Sequence, residues 1–143
     1  MTQEEIFQHL PYKEPFLFVD ELHNISEDQV IGSHLFRENA FFYQGHFKDY
    51  PVTPGVILTE CMAQIGLVCL GILLIKGPFR SGFSAAMTHS DIEFLHPVFP
   101  GERVMVHSDK EYFRFNKLKC KVKMVNSEEK IVAMGTISGM FRS

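Results

Sequence analysis

Two hydrophobic periods divide this chain. In "KLKCKVKMV", residues 117–125, Lys117, Lys119, Lys121 and Lys123 alternate with Leu118, Cys120, Val122 and Met124. Successive side chains of a strand point to opposite faces, so the pattern predicts a strand with one wet and one buried side. "SAAMTHSDIEFL", "RVMVHSDKEYFRF" and "KIVAMGTISGMF" are strand-like as well, and "PVFPGE", Asn116 and "NSEE" separate them as turns. Nearer the N-terminus, "PFLFVDELHNIS" and "QVIGSHLF" predict two more strands, joined through the polar "SED" as a hairpin. Thr2 followed by Glu5 forms a capping-box pattern, which predicts a short helix over Gln3 to His9 that ends at Pro11.

Between these strand groups the alternation disappears. From Gly55 to Ile75 the chain is apolar on nearly every side, the mark of a helix enclosed by other structure. Pro54 and Gly55 open it and Lys76, Gly77 and Pro78 stop it. Its length approaches the roughly 20 residues that a bilayer requires. Thr59, Glu60 and Gln64 interrupt the run, however, and a carboxylate in hydrocarbon costs about 2.5–3.5 kcal/mol. A buried core helix is expected, with no membrane span. Arg37 to Pro54 reads as an ordered, aromatic-rich loop beside a site. Short helix, two strands, long helix and four strands predict an α+β fold: a mostly antiparallel sheet curling around one central helix.

Composition narrows the function. The 143 residues suit a single domain, 1–143, and 45% hydrophobic residues suit a packed one. A formal net charge of -3 supplies no basic footprint, so no nucleic acid partner is expected. The start "MTQEEIFQHL" is unlike a secretory signal, which predicts a cytoplasmic protein. Cys61, Cys69 and Cys120 show no CxxC spacing and read as small buried hydrophobes. The seven histidines do not pair at ligand spacing, so no metal is expected. His23, His34, His89, His96 and His107 are read as surface or loop residues.

The chemistry concentrates in "FFYQGHFKDYPVTPGVILTECMAQIG", residues 41–66. His46 stands in the loop, and Glu60 lies about two turns into the apolar helix. Burial raises a carboxyl pKa, so Glu60 is suited to donating a proton, while a neutral imidazole accepts one at the same pH. The Gly55 amide sits at the positive helix end, where it can polarise a carbonyl. A base, an acid and an oxyanion donor describe dehydration of a β-hydroxy thioester. The same residues also fit a hydrogen-bonded structural histidine and a paired or solvated glutamate.

At these positions the chain resembles the β-hydroxyacyl-acyl carrier protein dehydratases, FabZ type, of the hotdog fold. The resemblance lies in "LPYKEPFLFVD", "FFYQGHFKDYPVTPGV", "ILTECMAQIG" and "FLHPVFPGE". It implies that His46 is the catalytic histidine, Glu60 the catalytic acid, and the Gly55 amide the group that polarises the thioester carbonyl. Phe47, Pro54, Val56 and Gln64 are implied as supporting or substrate-binding positions, with Gln64 holding the carboxyl. The resemblance further implies an acyl carrier protein partner with a phosphopantetheine-linked chain and no cofactor. It also implies a homodimer, alone or within a dimer of dimers or trimer of dimers, with histidine and glutamate of one site coming from different subunits.

The chain departs from the family pattern at Tyr12 and Lys13, where His-Arg is usual, at Lys48 after "GHF", and at Leu95. These departures touch carrier recognition and acyl preference, and they leave room for a polyketide-like or aryl polyene pathway. The rivals are a hotdog thioesterase or enoyl hydratase, and a non-catalytic acyl-binding subunit. Ile57, Ile65, Val68 and Ile72 are expected in the core. Phe79, Phe83 and Phe94 are expected to pack, with an acyl tunnel as their alternative.

Overall fold

The computed structural model describes residues 1–142. Six strands, β1 Glu21–Ile25, β2 Gln29–Leu35, β3 Ser84–Phe94, β4 Arg103–Arg114, β5 Lys117–Val125 and β6 Ile131–Arg142, form one sheet. Their order is β1-β2-β4-β5-β6-β3, and each neighbouring pair is antiparallel. The helix Gly55–Ile75 lies within the curve of this sheet, with 78% of its apolar window buried. Enclosure by the sheet accounts for its lack of a polar face. The expected α+β architecture of sheet and central helix is present.

Local chemistry explains most elements. Thr2 caps α1, Gln3–Gln8, by accepting from the Glu5 amide at 3.2 Å, and the single buried residue of that helix is Ile6. On β5, Leu118, Cys120, Val122 and Met124 face the core while Lys121 and Lys123 face water. The central helix ends where Lys76 turns left-handed at φ 64°, just before Gly77 and Pro78. Cys61, Cys69 and Cys120 are free and buried. Ile57, Ile65, Val68 and Ile72 are core residues.

Four details differ from the sequence reading. The first strand begins at Glu21, because Phe16 and Phe18 are held by side chains of the central helix instead of a strand partner, and pairing with β2 starts only at the Asp20 amide, which donates to the Ser33 carbonyl. Gln64 and Cys61 bond the Phe16 and Phe18 backbone. The aromatic loop contains a 3-10 turn, Phe41–Gln44. The central helix is not uniform: Gln64–Cys69 has π geometry. There the Gly66 carbonyl accepts from Ser108 Oγ at 3.0 Å and Cys120 Sγ at 3.6 Å, so the sheet holds the widened turn.

His34 is the fourth difference: it is only 5% exposed, not a surface residue. Its ring meets Phe18 and Phe36 edge-on, and its Nδ1 lies 3.1 Å from Asp20 Oδ2 without the aim of a good hydrogen bond. Burial drives its pKa down to about 4, against the pull of Asp20.

Candidate active site

Glu60 is half-buried on the central helix. Its neighbour one turn on, Gln64, is fully buried and makes three hydrogen bonds. Gln64 Nε2 donates to Glu60 Oε2 at 2.9 Å and to the Phe16 carbonyl at 3.2 Å, while its Oε1 accepts from the Phe18 amide at 2.7 Å. The amide orientation is therefore dictated from both ends, and one carboxyl oxygen of Glu60 is held while Oε1 stays available. Burial raises the Glu60 pKa, and the Gln64 bond opposes part of that rise.

Glu60 lines a cavity of about 180 Å³. Tyr12 and Phe16 stand beside it, and Ala63, Leu67 and Val68 continue the wall along the helix. The opposite wall comes from Ala85, Ala86 and Met87 of β3 and from Gly139 and Phe141 of β6. The Tyr12 phenol is pushed upward by burial, then by the nearby Glu60 carboxylate and Cys69. A carboxyl group is thus the one ionisable group, apart from that phenol, in an otherwise apolar pocket.

His46 lies in the aromatic loop. Its Nδ1 is 2.8 Å from the Val52 carbonyl oxygen. A carbonyl only accepts, so Nδ1 carries the hydrogen and the neutral ring keeps its lone pair on Nε2. Phe47, 56% exposed, stacks on the imidazole with centroids 4.1 Å apart. Gly55 opens the helix after Pro54, which supplies no side-chain cap. Ile57 and Leu58 donate to the Pro54 carbonyl, while Gly55 lines a cleft of about 410 Å³ together with Thr53, Leu58, Phe94 and His96. A Cβ at Gly55 would lie 3.3 Å from Phe94 Cζ, so the ring of Phe94 rests against this helix end. Val56 beside it is 76% exposed.

Within one chain, then, Glu60, held by the buried Gln64, lines a cavity that neither His46 nor Gly55 lines. Two aromatic cavity residues, Phe16 and Phe141, were not singled out, and Tyr12 was noted without a place in the site. Tyr12 stands at a departure from the family pattern, whereas nothing local marks Phe141. Phe79 and Phe83 pack as expected, Phe83 being 8% exposed, but Phe94 is 48% exposed and lies at the helix mouth.

An antiparallel sheet wrapped on one long buried helix, with an acid in an apolar cleft beside it, is the hotdog fold. Residues 10–137 match the FabA-like domain, and the chain belongs to that family. A relative in Gluconobacter oxydans (strain 621H), named 3-hydroxyacyl-(acyl-carrier-protein) dehydratase FabZ, is 36% identical over 95% of this chain and 80% of its own. Among solved structures, the dehydratase heterocomplex ApeI:P from Xenorhabdus doucetiae superposes with a TM-score of 0.80 at 11% identity, covering 96% of this chain and 91% of that one. A hypothetical thioesterase with coenzyme A from Streptococcus pneumoniae TIGR4 gives a TM-score of 0.62 at 14% identity, covering 86% and 85%. At such identities the two structures speak for the fold alone.

Proposed function

We propose that this protein is a β-hydroxyacyl-acyl carrier protein dehydratase that converts β-hydroxyacyl thioesters to trans-2-enoyl thioesters in fatty acid or related biosynthesis. The observation that carries the reading is Glu60: a carboxyl whose pKa burial raises, oriented by Gln64, in an apolar cavity. Membership of the FabA-like family supports the same chemistry. The chain acts as one domain that works in the cytoplasm on an acyl chain delivered by a carrier protein's phosphopantetheine.

In the reaction, His46 Nε2 removes a proton from the carbon next to the thioester carbonyl. The electrons pass toward that oxygen, and the Gly55 amide meets the developing charge. As they return, the bond from the next carbon to its hydroxyl breaks, and the Glu60 proton leaves with the hydroxyl as water. Histidinium and carboxylate reset by exchanging a proton with solvent. Phe47, Pro54 and Val56 frame the histidine and the donor.

The separation of His46 from the Glu60 cavity fits a site shared between two copies. β3 is a sheet edge, exposed along residues 86–91. Its first residues, Ala85 to Met87, wall the Glu60 cavity, and its last, Phe94, lies against Gly55. Antiparallel pairing of two β3 strands about their middle sets the first end of one opposite the last end of the other. The Gly55 and His46 region of one copy then approaches Glu60 of its partner, and the active unit is a homodimer or a larger assembly of dimers.

The deciding experiment incubates the protein with a β-hydroxyacyl carrier protein and follows enoyl thioester and free thiol. Enoyl product is expected. Free thiol alone would make it a thioesterase, and no product a binding subunit.

A further inference from the structure

We propose that Phe141 is the stop that sets acyl-chain length, limiting the Glu60 cavity to chains of about ten carbons or fewer. The inference rests on the dehydratase reading and concerns what that site accepts. From Glu60 inward the helix contributes Ala63, Leu67 and Val68, so the cavity deepens along the helix axis. Eight residues at 1.5 Å each make that path about 12 Å. Past the carboxyl the walls are apolar apart from the Tyr12 phenol, which suits a hydrocarbon tail.

Phe141 bounds this space and cannot readily retreat from it. The side chain is 6% exposed, and its ring lies directly on the backbone of Gly71. A Cβ at Gly71 would sit 2.1 Å from Phe141 Cζ and 2.6 Å from Cε1 and Cε2, so the ring occupies the space that any other residue at position 71 would fill. The ring of Phe83 runs parallel to Phe141, at 4° with centroids 6.2 Å apart, and Phe79 meets Phe83 edge-on at 5.0 Å. The cavity therefore ends on an aromatic stack that is itself packed into the core. The volume of about 180 Å³ holds roughly six methylenes, each close to the 30 Å³ that a water molecule claims in the liquid. Adding the three carbons that stay with the catalytic groups gives a chain of about nine.

The test measures binding and turnover separately. Binding uses β-hydroxyacyl pantetheines with an amide in place of the thioester, carrying six, eight, ten or fourteen carbons, titrated by calorimetry. Wild-type affinity is expected to rise up to eight or ten carbons and to fall about tenfold or more at fourteen, the order that one or two unburied methylenes cost. Phe141→Ala should move the optimum toward fourteen carbons. Phe141→Leu, a milder change that keeps the core filled, should move it less in the same direction. Gly71→Ala, which drives the ring into the cavity, should move it toward six. The ratio of kcat/KM for eight- and fourteen-carbon carrier substrates should follow the same order. Equal wild-type affinity for eight and fourteen carbons, no binding at any length, or a length profile unchanged in both Phe141 variants would overturn the proposal. An intact length profile without turnover on any substrate would instead reject the dehydratase reading and leave the stop standing.

Discussion

Replacing Gln64 by Leu removes one fully buried amide and the three hydrogen bonds it makes. Leucine nearly matches glutamine in volume, so the packing cost is small and the polar cost decides the outcome. Each bond contributes about 1 kcal/mol net, and leaving the buried Phe18 amide without an acceptor costs about 1–3 kcal/mol more. Burial of the new isobutyl group returns part of this, which leaves a loss of roughly 2–4 kcal/mol. For a chain of 143 residues a loss of this size lowers Tm by roughly 10 °C.

The same change acts on Glu60. Burial raises its pKa and Gln64 pulls it back, so in Gln64→Leu the pKa rises further. Catalysis needs the protonated carboxyl, so the alkaline limb of kcat/KM should move to higher pH while the maximum falls. The effect on stability has the opposite slope. A carboxyl raised by folding contributes stability below its unfolded value, near 4.3, and that contribution is lost as pH climbs through the folded value. The variant should therefore lose more stability between pH 5 and 8 than wild type does. Thermal unfolding at both pH values and a pH–rate profile check this. A Tm within 2 °C of wild type, or an alkaline limb displaced to lower pH, would refute the bonding scheme.

Glu60→Gln should cost about 10²–10⁴ in kcat, because an amide has no labile proton to give. It should also remove the decline in stability that Glu60 ionisation causes above pH 5, which denaturant titrations across that range would read out. Gly55→Pro tests the oxyanion donor alone. Proline suits a first helical position, and Pro54 already holds the extended ψ of 140° that must precede it, while Phe94, being half exposed, can yield to the ring. A fold retained by circular dichroism with kcat reduced about 10²–10³ is expected, and undiminished turnover would move the donor elsewhere. Mixing His46→Ala with Glu60→Gln chains tests the shared site. Mixed dimers hold one intact site if His46 and Glu60 come from different copies, so about a quarter of wild-type activity should return. No recovery after verified exchange would place both residues in one chain.

What the sequence revealed depended on how far apart the interacting residues lie. β5 was legible because its register is local: lysine on one side and small apolar residues on the other state which face is wet. The group from His46 to Gln64 was visible for a similar reason, since nineteen consecutive residues hold the histidine, the helix start and the acid. Phe16 to Val19 misled, being an apolar run whose backbone is bound by Cys61 and Gln64, more than forty residues away. His34 looked like a strand residue facing water, yet Phe18, Phe36 and Asp20 close over it from separate elements. The seat of Phe141 on Gly71 spans seventy residues and follows from how β6 crosses the central helix, which no local pattern records. β3 lies between these cases. Its eleven residues hold neither lysine nor proline, the usual guards of an exposed edge, although a lone chain leaves that edge open. Such an edge is tolerable when a second copy covers it. The residues that alternation alone assigns to a solvent-facing strand are then the ones that bring two halves of a site together.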